Sequence, residues 1–360
     1  MMIRDLAHRV SDAACDAHVV LLGELPSHGE ARGFAVKAAV VEELVERCGF
    51  RALIFEAPFY EFVGFNAAVA AGAATPRQLD RAIGRFWWTR ELAPWRGWLF
   101  QQARSRRLTL GGMDDQVSIT SDFARATLPP LVGRLVGGSR AARCEESVRR
   151  HLFWQYTDSL PFDATEQRWL LTCVQDAQAG WGEQAERDQQ IADAEMLGAF
   201  AGYAARQQEG STAPGRDLGM YRAVMGHLQR LPAGTKVVVW TATVHAARAM
   251  TGGEEAPLGM LLATRLGHRL VSVGFTALGG ESSMAGRPVR TLPTLPPGSL
   301  EARALAGGAG AVVLDSVALA ALGALPSRLL GRTGAGDWAS LFDLVVVIGR
   351  EVAPAFDPWE

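Results

Sequence analysis

Little in this chain is in excess. Its 36 basic and 38 acidic residues leave a formal charge of -2, so a nucleic acid or an acidic membrane finds no electrostatic footprint. The one local basic cluster, Arg104, Arg106 and Arg107, reads as a solvated helix end. The cysteines, Cys15, Cys48, Cys144 and Cys173, follow no metal-ligand or redox spacing, and a chain of 360 residues needs no disulfide staples; buried thiols are expected. No run of 18 apolar residues occurs, which leaves no candidate membrane-spanning helix. The start, Met1-Met2-Ile3-Arg4-Asp5, meets an acid at once and lacks the apolar stretch of a signal peptide, so a cytoplasmic protein is expected. A Gly-x-Ser-x-Gly elbow is missing, and no serine sits at a strand-to-helix turn beside a histidine, so a Ser-His-Asp hydrolase fits poorly. His-x-x-x-His and Cys-x-x-Cys pairs are also missing, and neither a required metal nor a cofactor is expected.

What is present is a globular composition, 48% apolar and 21% charged, with length for one large or two ordinary domains. The most informative stretch is Val19 to Phe62. Two short apolar runs, His18 to Glu24 and Phe50 to Glu56, each end in a glutamate, and a helical pattern from Ala31 to Cys48 links them. The first run leads directly into Pro26-Ser27-His28-Gly29-Glu30. In a β-α-β unit the strands run parallel, and both C-terminal ends open on the sheet edge where ligands bind. Glu24, His28 and Glu56 should therefore converge in one cleft.

Further along, Thr75-Pro76 opens a helix, and Phe86 to Arg104 gives a helical pattern carrying Trp87, Trp88, Trp95 and Trp98. A strand follows at Leu108 to Gly112, ending in Met113-Asp114-Asp115-Gln116. From Ser118 to about Gln229 helical patterns dominate, with breaks at Pro129-Pro130, Gly137-Gly138 and Gly210 to Gly215. Strands return at Lys236–Trp240, Arg269–Phe275, Gly310–Asp315 and Leu341–Ile348. The order predicts an α/β protein, a mostly parallel sheet flanked by helices with an inserted helical subdomain: a core over residues 1–117 and 231–360, the insert over 118–230.

These segments together resemble the erythromycin esterase family. The likeness is carried by Leu21-Leu22-Gly23-Glu24 with His28-Gly29, Gly49-Phe50, Phe55-Glu56-Ala57, Gly112 to Gln116, Arg187-Asp188, Val237 to Trp240 with His245, Leu266-Gly267 with Val271 to Phe275, Gly298 to Glu301, and Phe342-Asp343. It spans nearly the whole chain. The resemblance implies a deep cleft in which histidine and glutamate side chains activate water to open an ester or lactone, without a nucleophilic serine. It places the catalytic positions on Glu24, His28, Glu56 and His245.

A neutral imidazole held by a carboxylate is a competent base near pH 7, and an oxyanion needs a positive charge, for which Arg32 or Lys37 is the candidate. Glu30, Trp87, Trp88, Asp114, Gln116 and Arg187 are the remaining candidates for substrate contact. The chain departs from the family pattern in three places. Glu24 and His28 stand four apart rather than three, Ala242-Thr243 replaces a His-Asn pair before His245, and Ile191, Ala194 and Val317 stand where the family has a methionine, an asparagine and an arginine. The expected substrate is a bulky, fairly apolar small molecule, with no nucleic acid or membrane partner. Alternatives are an elimination, cyclisation or isomerisation in the same cleft, or a binding protein without turnover. Glu24, His28, Glu30, Glu56 and His245 also offer mixed oxygen and nitrogen donors of the kind zinc or manganese accepts, without spacing that fixes them.

Overall fold

The computed structural model describes residues 2–118, 120–180, 188–252 and 255–357. Its strands are β1 (Val19–Glu24), β2 (Phe50–Pro58), β3 (Thr109–Asp114), β4 (Lys236–Ala242), β5 (Leu270–Ser282), β6 (Arg290–Thr291), β7 (Ala311–Asp315), β8 (Leu325–Ser327), β9 (Gly334–Gly336) and β10 (Leu344–Glu351). The main sheet runs β3-β2-β4-β1-β5-β10-β7, with β6 on the extension of β5, while β8 and β9 form a separate hairpin. All main-sheet pairs are parallel except β10–β7 and β5–β6.

Along β1 successive side chains alternate between faces. Val20 and Leu22 enter one core with α1 (Met2–Ala14), α2 (Ala31–Glu46), α4 (Pro76–Ile83) and α5 (Ala93–Arg104). Val19 and Leu21 enter the opposite core with α10 (Arg216–Arg230), α12 (Leu258–Leu266) and α13 (Leu300–Ala304). A third cluster lies among α3 (Phe59–Ala70), α6 (Asp122–Val136), α7 (Ala141–Leu152), α8 (Ala164–Ala179) and α9 (Asp188–Arg206). Short helices α11 (Thr243–Ala246), α14 (Ser316–Leu322) and α15 (Trp338–Leu341) complete the chain.

The α/β fold and the parallel sheet are as the hydrophobic pattern predicts; three local expectations are not. The cysteines pair as Cys15–Cys48 and Cys144–Cys173. Cys15 and Cys48 follow the ends of α1 and α2, which pack side by side, and Cys144 and Cys173 face each other from α7 and α8, proximities that linear spacing does not encode. Such bridges persist where thiols are not kept reduced. Among the described residues no helix is long and apolar enough to cross a membrane. The helix expected from Phe86 begins only at Ala93, where Pro94 fills the first turn, and a 3-10 turn, Arg85–Trp87, precedes it. Helix α6 runs through Pro129 and Pro130; its buried Leu128, Leu131 and Val132 hold it against the lost amide hydrogens.

The connection from β1 leads to β2 on one side, and that from β4 leads to β5 on the other. The chain thus leaves the neighbouring strands β1 and β4 in opposite directions, which opens a crevice between their C-terminal ends. Register aligns Glu24 with Ala242, Phe55 with Trp240 and Pro58 with Asp114, so the acidic strand ends share one edge.

Candidate active site

Two linked clusters occupy that edge. In the first, the turn after β1 is closed by the His28 amide donating to the Leu25 carbonyl at 2.9 Å, and His28 adopts a left-handed φ of 47°. The turn brings the imidazole back over the strand end, with Nδ1 2.7 Å from Glu24 Oε1. Gly29 must be glycine, because a Cβ there would stand 2.4 Å from the Ser283 carbonyl oxygen. Glu24 also accepts from Trp87 Nε1 at 2.7 Å and from the Lys37 ammonium. Lys37 is fully buried, donates to the Thr241 carbonyl at 3.1 Å and lies 4.2 Å from the Trp240 ring centre. Burial lowers the Lys37 pKa to about 8 against the pull of Glu24. Burial also opposes charge on His28, but the hydrogen bond and charge of Glu24 outweigh it and raise the imidazole above its ordinary value.

In the second cluster Glu56 is saturated with donors. Its Oε2 accepts from Thr241 Oγ1 and the Ala242 amide, each at 2.8 Å. Its Oε1 accepts from Arg216 Nη2 at 3.0 Å and lies 3.4 Å from His245 Nε2. His245 Nδ1 is 2.9 Å from Asp217, and Arg216 forks onto Asp114 at 2.6 and 3.2 Å. Burial would raise the Glu56 pKa, yet the positive charges of His245, His28 and Arg216 hold it well below the usual carboxylate range. Burial likewise disfavours His245 as a cation, and Glu56 and Asp217 overcome it, raising the imidazole to about 9. His245 is therefore an imidazolium at neutral pH. Since Nε2 then donates to Glu56, it cannot accept from Arg216, whose Nη1 lies 3.2 Å away and has no other acceptor among the described residues.

A cavity of about 340 Å³ opens on this second cluster, lined by Glu56, Asp114, Gln116 and Arg216 together with Trp87 and apolar side chains including Ile83, Phe86 and Val117. His28 and His245 adjoin its lining: His28 stacks on Phe86 at 4.9 Å, and His245 touches Glu56 and Arg216.

The structure thus brings together Glu24, His28, Glu56, His245, Trp87, Asp114 and Gln116. Others fall elsewhere. Arg32 is exposed, with its guanidinium on the Arg350 carbonyl, because its helix position faces away from the sheet. Lys37 is sealed beneath Glu24 and cannot touch a substrate. Glu30 is buried against Ser27 and the Gly29 amide, beside Glu351, and does not line the cavity. Trp88 is half-buried outside the lining, and Arg187 lies outside the described residues. Arg216 and Asp217 were not foreseen; they open α10 directly after the Gly210–Gly215 break. The carboxylate oxygens of Glu24 and Glu56 accept hydrogens from Trp87, Lys37, Arg216 and Thr241, and among the described residues no group of three His, Cys, Asp or Glu side chains is placed to hold an ion.

The fold is thus a mostly parallel α/β sheet with carboxylate-held imidazoles at its C-terminal edge. Residues 45–344 match the erythromycin esterase family, and the chain belongs to it. No curated protein matches the sequence. Solved structures that resemble it include a Bacillus cereus protein (TM-score 0.75, 17% identity, 99% of this chain and 94% of that one). A succinoglycan biosynthesis protein aligns with a TM-score of 0.72 at 16% identity, over 97% of this chain and 92% of that one. The erythromycin esterase EreC, as a histidine-to-asparagine mutant in its open conformation, aligns at 0.67 and 14%, over 98% and 94%. Family membership suggests an esterase-like hydrolase; at such identities the solved structures establish the fold.

Proposed function

We propose that the chain hydrolyses an ester or lactone of a small molecule, with His28 as the general base. The observation that carries this reading is the pairing of His28 with Glu24. A carboxylate only accepts, so Nδ1 carries the ring hydrogen and the Nε2 lone pair is left for water; Nε2 has no hydrogen-bond partner among the described residues. Water gives a proton to Nε2 as its oxygen bonds to the carbonyl carbon. The carbonyl oxygen, now an oxyanion, takes the unclaimed Nη1 hydrogens of Arg216, whose plane is fixed by Asp114 and Glu56. When the C–O bond breaks, the His28 imidazolium returns its proton to the leaving alkoxide. Glu56, with its depressed pKa and four donors, serves as the anchor that keeps Arg216 and protonated His245 side by side.

Because neutral His28 and protonated His245 are both required, kcat/KM should rise with pH through a midpoint above that of an ordinary imidazole and fall again toward pH 9. His28→Ala, which leaves Phe86 and Glu24 in place, tests the assignment: a loss of kcat of about a hundredfold or more is expected for a positioned base. Retention of turnover in this variant would remove His28 from the chemistry.

A further inference from the structure

The cavity holds a second arginine that the proposed reaction does not use. Arg85 lines it from the 3-10 turn whose other two residues build the site: Phe86 covers His28 and Trp87 binds Glu24. Among the described residues its half-buried guanidinium makes no hydrogen bond or ion pair. It reaches across to the turn bearing Ala285 and Gly286, where a Cβ on Gly286 would be 3.6 Å from Nη2, and Ala285 is itself part of the cavity wall. The carboxylates around it each have a partner already. Glu56 and Asp114, the acidic residues of the lining, both bind Arg216, while Glu24 is matched by Lys37 and His28, and Asp217 by His245. Arg85 is thus a cation of the lining with no direct partner among the described residues, beside the apolar wall of Ile83, Phe86 and Val117.

We propose that Arg85 is a specificity determinant that reads an anionic substituent, a carboxylate in the first instance, on the substrate. This deepens the ester-hydrolase reading for substrate class but does not depend on it for binding. The substrate would lay an apolar body against Ile83, Phe86 and Val117, with its anion on Arg85 and its ester carbonyl at Arg216. A cavity of about 340 Å³ lies at the small end of ligand sites, which suits such a compact, charged molecule better than full enclosure of a large neutral one. The guanidinium fork favours a planar carboxylate with two parallel hydrogen bonds.

Two arms separate this claim from the reaction itself. The first measures binding by calorimetry with three anilides of equal chain length that resist hydrolysis: the mono-anilide of adipic acid (anionic), hexananilide (neutral) and 6-aminohexananilide (cationic). The anionic ligand should bind at least about tenfold more tightly than the neutral one, the scale of a charge-assisted hydrogen bond, and the cationic ligand least tightly. Arg85→Gln should erase that ranking with the melting temperature unchanged, since no contact is broken, and Arg85→Lys should restore part of it. The second arm compares kcat and KM for the corresponding 4-nitrophenyl esters, where the preference should appear in KM. Equal binding of the three anilides, no binding of the anionic one, or a ranking that survives Arg85→Gln would overturn the proposal. An anion preference without ester turnover would keep Arg85 as the reader and remove the hydrolase reading instead.

Discussion

Replacing Asp217 by Asn isolates the electrostatic idea on which the second cluster rests. Asp217 faces His245 Nδ1 at 2.9 Å and also accepts the Leu258 amide at 2.7 Å. An asparagine keeps an oxygen for both contacts and removes only the charge, so the start of α12 should hold. A hydrogen bond to a charged group contributes about 1.5–3 kcal/mol, and each pKa unit corresponds to about 1.4 kcal/mol, which converts to about one to two units. The His245 midpoint should therefore fall from about 9 into the range of about 7 to 8. The assay is an NMR titration of the imidazole Cε1–H resonances, assigned with His245→Asn, run beside the pH profile of kcat/KM. Both the resonance midpoint and the alkaline limb should move down together. An unchanged midpoint in Asp217→Asn would show that Asp217 does not hold the charge on His245, and a wild-type midpoint below pH 7 would undo the argument that frees Arg216 Nη1.

Linkage gives a stability prediction from the same groups. His245, raised from 6.5 to about 9 by folding, stabilises fully below pH 6.5 and loses that contribution as pH rises through 9, on the order of 3 kcal/mol in all. Lys37 works the other way: its burial as a cation is a cost below about pH 8 that is relieved toward 10.5, so urea denaturation should show stability dipping up to about pH 9 and recovering above it, with the recovery absent in Lys37→Met. Each disulfide closes a loop of about 30 residues, worth roughly 3–4 kcal/mol in the chain-entropy account; the denatured, unreduced protein should titrate no thiol, and four titrating thiols would refute both pairings. Trp240→Ala should cost about 3–5 kcal/mol by differential calorimetry, because its fully buried ring is the floor beneath Lys37 and packs 4.9 Å from Trp95.

Strand-end glutamates were legible because period and topology suffice: apolar runs read as buried strands, parallel strands share an edge, and Glu24 and Glu56 follow. His245 came from the family resemblance instead, and it lies in α11, directly after β4. Lys37 carried a signal of its own. It recurs with Phe34 and Val41 on the buried stripe of α2, and a lysine on that stripe points to a partner inside the fold, whereas Arg32 lies off it. Arg216 and Asp217 carried no such signal. The Gly210–Gly215 break announces a helix start, but only the packing of α10 against β3, where His227 Nε2 donates to the Gly112 carbonyl at 2.9 Å, turns that start toward the cleft. The cysteine pairs failed to show for the same physical reason, since helix-on-helix contacts between α1 and α2 and between α7 and α8 are tertiary facts.

Water attack assisted by His28 is the centre of the account, and turnover in oxygen-18 water tests it most directly. Wild-type protein acting on mono-4-nitrophenyl adipate should release adipate with one labelled oxygen per turnover, and His28→Ala should lower that rate by about a hundredfold or more while its melting temperature stays close to wild type. Contradiction would come from a folded His28→Ala variant that incorporates the label within about tenfold of the wild-type rate, or from wild-type protein that binds the ester and never incorporates label.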